Sequence, residues 1–161
     1  MSHLAKIEHL LGAPYEDGYH DCYGLLRRYY FEVYGLQLRN YARPIDFAQH
    51  LNLIVDNFAN EGFEIVEASL DQLELGDGLL FGLNRPKYVN HVAAFVGNGW
   101  MIHHLYRKVS SKDALTTSWR QRVVSVVRHP EVTEQNKLLV PQLNFMNLLS
   151  PRLKAKYEIP Q

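Results

Sequence analysis

Apolar residues recur at three- and four-residue intervals through the first third of the chain, and the period shortens afterwards. Leu4, Ile7, Leu10 and Leu11 have helical spacing, which predicts a short helix over 3–11 ending at Gly12. The stretch GAPYEDGYH is rich in Gly, Pro and Asp and reads as a loop. Asp21 stands where an N-cap belongs. Leu25, Leu26, Tyr29, Tyr30 and Val33 then form an apolar stripe that stops before Gly35, predicting a helix over 22–34. After a loop through Pro44, Phe47, Leu51, Ile54, Val55 and Phe58 share one helical face, and Gly62 ends that helix.

From residue 63 the pattern is that of strands. FEIVEAS (63–69) predicts one, LELGDGLLFG leads into another, and RVVSVVRH (122–129) is a β-branched run. HVAAFVGNGWMIHHLY (91–106) reads as a hairpin, two apolar runs around Gly97, Asn98 and Gly99. Helices first and a meandering sheet second predict an α+β fold, with N-terminal helices packed on a small antiparallel sheet. Residues 130–161 carry four prolines and the apolar stretch LLVPQLNFMNLLSP. The expected organisation is a domain over 1–129 and an extension over 130–161 that packs on it or docks on a partner.

The length of 161 residues suits one domain, and 47% hydrophobic with 21% charged residues describes a folded chain. Seventeen basic residues balance seventeen acidic ones, so no basic excess points to nucleic acid. No apolar run approaches the ~20 residues of a membrane helix. The first residues lack the basic and apolar regions of a secretory signal, so synthesis and folding in a cytoplasm are expected. The single cysteine, Cys22, rules out an intrachain disulfide, and with histidines elsewhere it is a nucleophile candidate.

A thiol attacks as its thiolate, and the first turn of a helix favours the anion. Asp21 would oppose it unless its carboxylate caps the backbone donors. A base is also required, with a third group to orient it. Of eight histidines, His3, His9, His50 and His129 lie in segments that read as surface helix or strand ends, and His20 lies in the loop. His91, His103 and His104 lie in the hairpin. A three-residue loop pairs 93 with 103 and makes His91 and His103 diagonal neighbours roughly 7–8 Å apart at the backbone. A two-residue loop, Asn98 and Gly99, flips the parity and puts His104 beside His91. Two blander readings stand beside this one: Cys22 as inert packing, and a zinc site of two histidines and Cys22. No CxxC or HxxxH spacing accompanies the latter.

Three blocks in order carry a resemblance. GAPYEDGYHDCYGLLRRYY, LELGDGLLFG and HVAAFVGNGWMIHH resemble the motifs of the NlpC-type cysteine peptidases, a papain-like family of bacterial and phage cell-wall hydrolases, over about residues 5–128. The resemblance implies a papain-like fold, Cys22 as nucleophile, and His91 as the base of a thiolate–imidazolium pair. His103, twelve residues on, falls at the family's orienting polar position, which agrees with the three-residue loop. Tyr15 takes the place of a tyrosine near the nucleophile that helps polarise the scissile carbonyl, and the Cys22 N–H would serve as an oxyanion donor. It further implies hydrolysis of an amide in the peptidoglycan stem peptide, between D-glutamate and the diamino acid, without metal or other cofactor. Tyr23, where the family often has serine, and DCYGLLRRYY resemble the phage-tail branch; Ala93 replaces the usual glycine. The expected setting is therefore a tail-tip or tail-assembly peptidase, made in the host cytoplasm and carried in the virion tail beside other tail proteins. The alternatives are a catalytically latent structural tail-tip protein and an injected amidase effector.

Overall fold

The computed structural model describes residues 7–138. Helix α1 (Cys22–Tyr34) forms where the apolar stripe places it. Asp21 caps it by accepting the Gly24 N–H at 2.8 Å, and Gly35 ends it in the left-handed conformation at φ 71°. Its stripe of Leu25, Leu26, Tyr29, Tyr30 and Val33 is buried almost completely.

The predicted helix over 3–11 is represented among the described residues by a single 3₁₀ turn, Glu8–Leu10. The face running from Phe47 to Phe58 is divided between two helices, α2 (Phe47–His50) and α3 (Leu53–Asn60). Leu51 between them is extended and 46% exposed, so it leaves the stripe that Ile54 and Phe58 bury. Helical spacing alone cannot register the break, because both pieces pack toward the same core.

Six strands follow: β1 (Glu64–Ile65), β2 (Gly78–Phe81), β3 (His91–Gly97), β4 (Trp100–His104), β5 (Ser110–Ala114) and β6 (Val123–Arg128), with a short helix α4 (Thr117–Arg120) before the last. They form one antiparallel sheet in the order β1-β6-β2-β3-β4-β5. The strand expected over 63–69 shrinks to two residues. Strand β5 and helix α4 were not legible, since SSKDA and TSWR have neither period. One sheet face, with Leu80, Val92, Ala94, Ile102 and Val127, packs on α1. The other, with Leu79, Phe81, Ala93, Met101 and Val126, packs on Leu115 and on Trp119 of α4.

The hairpin combines features of both loop lengths. Asn98 (φ 53°) and Gly99 (φ 75°) make a two-residue turn closed by the Gly97–Trp100 pair. Between Phe95 and Gly97 the register slips, leaving Val96 as an extra residue. The bulge reverses the parity that the turn alone would set. Ala93 therefore lies opposite His103 and Ala94 opposite Ile102.

Residues 130–138 stay on the domain: Val132 is buried in the α1 core, and the Leu138 N–H donates to the Val33 carbonyl at 2.7 Å. The apolar run from residue 139 onward, where packing on the domain or docking on a partner was expected, lies outside the described residues. Among those described, no helix is long and apolar enough to cross a membrane.

Gly24 shows how tightly the start of α1 is packed. A β-carbon there would sit 2.0 Å from the Tyr19 carbonyl oxygen. Gly24→Ala should therefore cost on the order of 2 kcal/mol in denaturant unfolding. An unchanged midpoint would show that the loop before α1 yields freely.

Candidate active site

The loop before Cys22 is built around one carboxylate. Glu16 and His20 pair across a turn that holds Gly18 at φ 73°. Asp21 accepts the Gly18 N–H at 3.0 Å on one oxygen and the Gly24 N–H at 2.8 Å on the other, tying loop to helix. Asp21 is only 4% exposed. Arg43 meets it at 2.6 Å, in a close ion contact rather than an aligned hydrogen bond, and lies over the Tyr23 ring. A carboxylate so placed needs such a partner to offset its lost hydration.

Cys22 occupies the first helical position and is partly buried. The backbone N–H of Val92, the second residue of β3, is among the groups that act on its sulfur. Burial, and then the Asp21 charge, push the thiol up to about 12; the Val92 N–H, Arg43 and the Tyr23 N–H pull the other way without prevailing. The resting cysteine is thus a neutral thiol. The helix start by itself would lower it, but desolvation is the larger effect.

His91 and His103 come together as the restored register requires. His91 Nε2 lies 3.1 Å from His103 Nδ1, with the rings 5.2 Å apart and inclined at 64°. Phe81 packs on His91, and Trp119 of α4 packs edge-on against His103 at 4.9 Å. In this apolar setting burial lowers His91 to about 3, with His103 and His104 adding to the effect. His103 is lowered by burial too, opposed by Asp113, whose Oδ2 is 2.8 Å from its Nε2. That contact joins a neutral imidazole to a carboxylate rather than two charges. Both ring nitrogens of His103 are engaged, Nδ1 by His91 and Nε2 by Asp113, so the zinc alternative would have to break one of these contacts to gain that ligand.

His104 takes the other face. Its Nε2–H donates to the Lys108 carbonyl at 3.0 Å, and its ring meets Tyr15 edge-on at 5.5 Å. The Tyr15 hydroxyl donates to Asp17 at 2.8 Å, and the phenol couples electrostatically to Cys22. Tyr15 also walls an open depression of about 560 Å³ with Pro14, Arg107, Lys108 and Val109. Among the other histidines, His129 donates to the Glu61 carbonyl and His9 meets the buried Glu32, both structural contacts. Asp113 and Trp119 escaped the sequence reading. They belong to β5 and α4, whose lack of apolar period hid them.

Two expectations follow. Removing the Arg43 charge leaves Asp21 uncompensated beside the sulfur. Arg43→Met should slow iodoacetamide labelling of Cys22 at pH 8 and lower stability by roughly 3 kcal/mol; unchanged labelling would mean that Arg43 does not act on the thiol. Folded His91 stays neutral down to about pH 3, whereas the unfolded chain takes up that proton near 6.5. Its contribution to stability is therefore complete above pH 6.5 and erodes as pH falls toward 3, at up to about 1.4 kcal/mol per pH unit. Chemical denaturation at pH 7 and pH 5 should show a steeper loss in the wild type than in His91→Asn. Equal losses would mean that folded His91 gains a proton as easily as the unfolded chain.

Comparison with known proteins bears on this arrangement. A model of the NlpC/P60 family matches residues 11–128. Tail tip assembly protein K of Escherichia phage lambda is 32% identical over 126 residues, covering 76% of this chain and 60% of that protein. The protein of the same name from Escherichia phage N15 is 27% identical over 128 residues, covering 76% of this chain and 50% of its own. The chain thus spans 50 to 60% of the length of these relatives. Among solved structures, the NlpC/p60 domain of peptidoglycan hydrolase SagA aligns with a TM-score of 0.51 at 22% identity, over 79% of this chain and 96% of that one. That likeness is one of fold.

Proposed function

The chain belongs to the NlpC/P60 family and has its papain-like α+β fold; on that premise we propose that it is a cysteine peptidase acting on amide bonds of the peptidoglycan stem peptide, as part of a phage tail tip. The observation that carries this reading is the hydrogen-bonded pair of His91 on β3 and His103 on β4, with the Val92 N–H next to His91 acting on the Cys22 thiol.

In this reading Cys22 is the nucleophile, His91 the base and His103 its orienter. Both partners start neutral, so His91 takes the thiol proton as sulfur attacks the amide carbon. The first N–H groups of α1 have no intrahelical partner, and that of Cys22 binds the developing oxyanion in this reading. His91 then gives its proton to the leaving amine. Water, deprotonated by His91, releases the acyl group from sulfur. Tyr15 and the depression lined by Arg107 and Lys108 flank the cysteine side, and a cationic rim suits the carboxylates of a stem peptide. No step uses a metal. The tail setting rests on the relatives' names.

A second reading is favoured by one observation, the thiol raised to about 12: a tail-tip protein that keeps the site but stays latent until substrate or assembly changes its surroundings. Purified cell wall separates the two readings. Wild-type protein should release stem peptides cut between D-glutamate and the diamino acid, and Cys22→Ala should lower the rate by roughly 10³-fold or more. Equal release by both proteins would remove Cys22 from the chemistry. No release by either would leave the latent reading.

A further inference from the structure

Behind the histidine pair stands a carboxylate that neither the triad nor the fold requires. Resting on the reading of His91 as the base, we propose that Asp113 is a positioning residue that sets the tautomers of both histidines, so that His91 presents Nδ1 as its lone pair. The register of β5 brings Asp113 there: it lies opposite Met101, two residues from His103 on the same face of β4.

The argument follows the protons. A carboxylate oxygen only accepts, so across the 2.8 Å contact His103 Nε2–H donates to Asp113 Oδ2. A neutral imidazole has a single N–H, which leaves His103 Nδ1 as an acceptor. Among the described residues the donor it meets, at 3.1 Å, is His91 Nε2. His91 therefore carries its proton on Nε2 and its lone pair on Nδ1. A donor at position 113 would reverse every bond and put the proton on Nδ1, where a base cannot use it. The burial that keeps both rings neutral keeps the relay in this state. Trp119 packs against His103, whose side chain is 0% exposed, while the Asp113 side chain at the sheet edge is 42% exposed. The outer end of the relay can thus be substituted without opening the core.

The test uses the full chain labelled with ¹⁵N-histidine, with ring nitrogen shifts read at pH 7.5 and the Cys22 iodoacetamide rate measured in parallel. In the wild type both His91 and His103 should show the Nε2–H signature. Asp113→Ala should give mixed tautomers at both rings and slow alkylation by about tenfold, well short of the roughly 10⁴-fold seen when a carboxylate directly behind a base is lost. Asp113→Glu should restore both readouts, since the exposed edge has room for the longer side chain. Should Asp113→Ala fail to fold, Asp113→Val, which suits a strand and neither donates nor accepts, gives the same comparison. Unchanged tautomers on loss of the carboxylate, or changed tautomers with unchanged alkylation, would overturn the assignment. Because neither readout needs cell wall, a wild-type protein that cleaves nothing but shows these shifts would refute the hydrolase reading and leave the role of Asp113 standing.

Discussion

One extra residue in β3 decides which histidine joins His91. The turn at Asn98-Gly99 closes the hairpin with two residues, and by itself it would bring His104 to the face of His91. Val96 restores the opposite parity. The consequences reach both faces of the sheet. His103 meets His91 and, beyond it, Asp113 on one face. His104 meets Tyr15 and the Lys108 carbonyl on the other. A bulge next to a site commonly re-aims side chains in this way.

The electrostatics of the site follow from desolvation more than from any single charge. The cysteine is pushed up and both histidines are pushed down, so the resting state favours neutral partners throughout. The groups that would stabilise a thiolate are in place: the helix start, the Val92 N–H and Arg43. They are outweighed by burial together with Asp21, which the fold cannot dispense with. That carboxylate holds the loop by the Gly18 N–H and the helix by the Gly24 N–H. The anchor that positions the cysteine also opposes its ionisation. Arg43 answers that charge at close range.

The sequence by itself determined the local parts. Helix α1 and both its caps were legible because a buried stripe, an Asp and a Gly impose strong local preferences. So was the α+β class, and the order of three motifs singled out Cys22, His91 and His103, of which the structure brings the two histidines together. The tertiary structure decided what local period cannot encode. It placed Val96 as a bulge, which costs one residue of register and leaves no mark in composition. It split the helical face between Phe47 and Phe58, since two short helices facing one core repeat the same pattern. It also brought Asp113 and Trp119 to the histidines from segments with no apolar period, because an edge strand and a single-turn helix bury too little to show one. The ionisation of the site was settled there as well: how much water each group loses depends on neighbours distant in sequence, and that loss outweighs the helix start that the sequence could foresee.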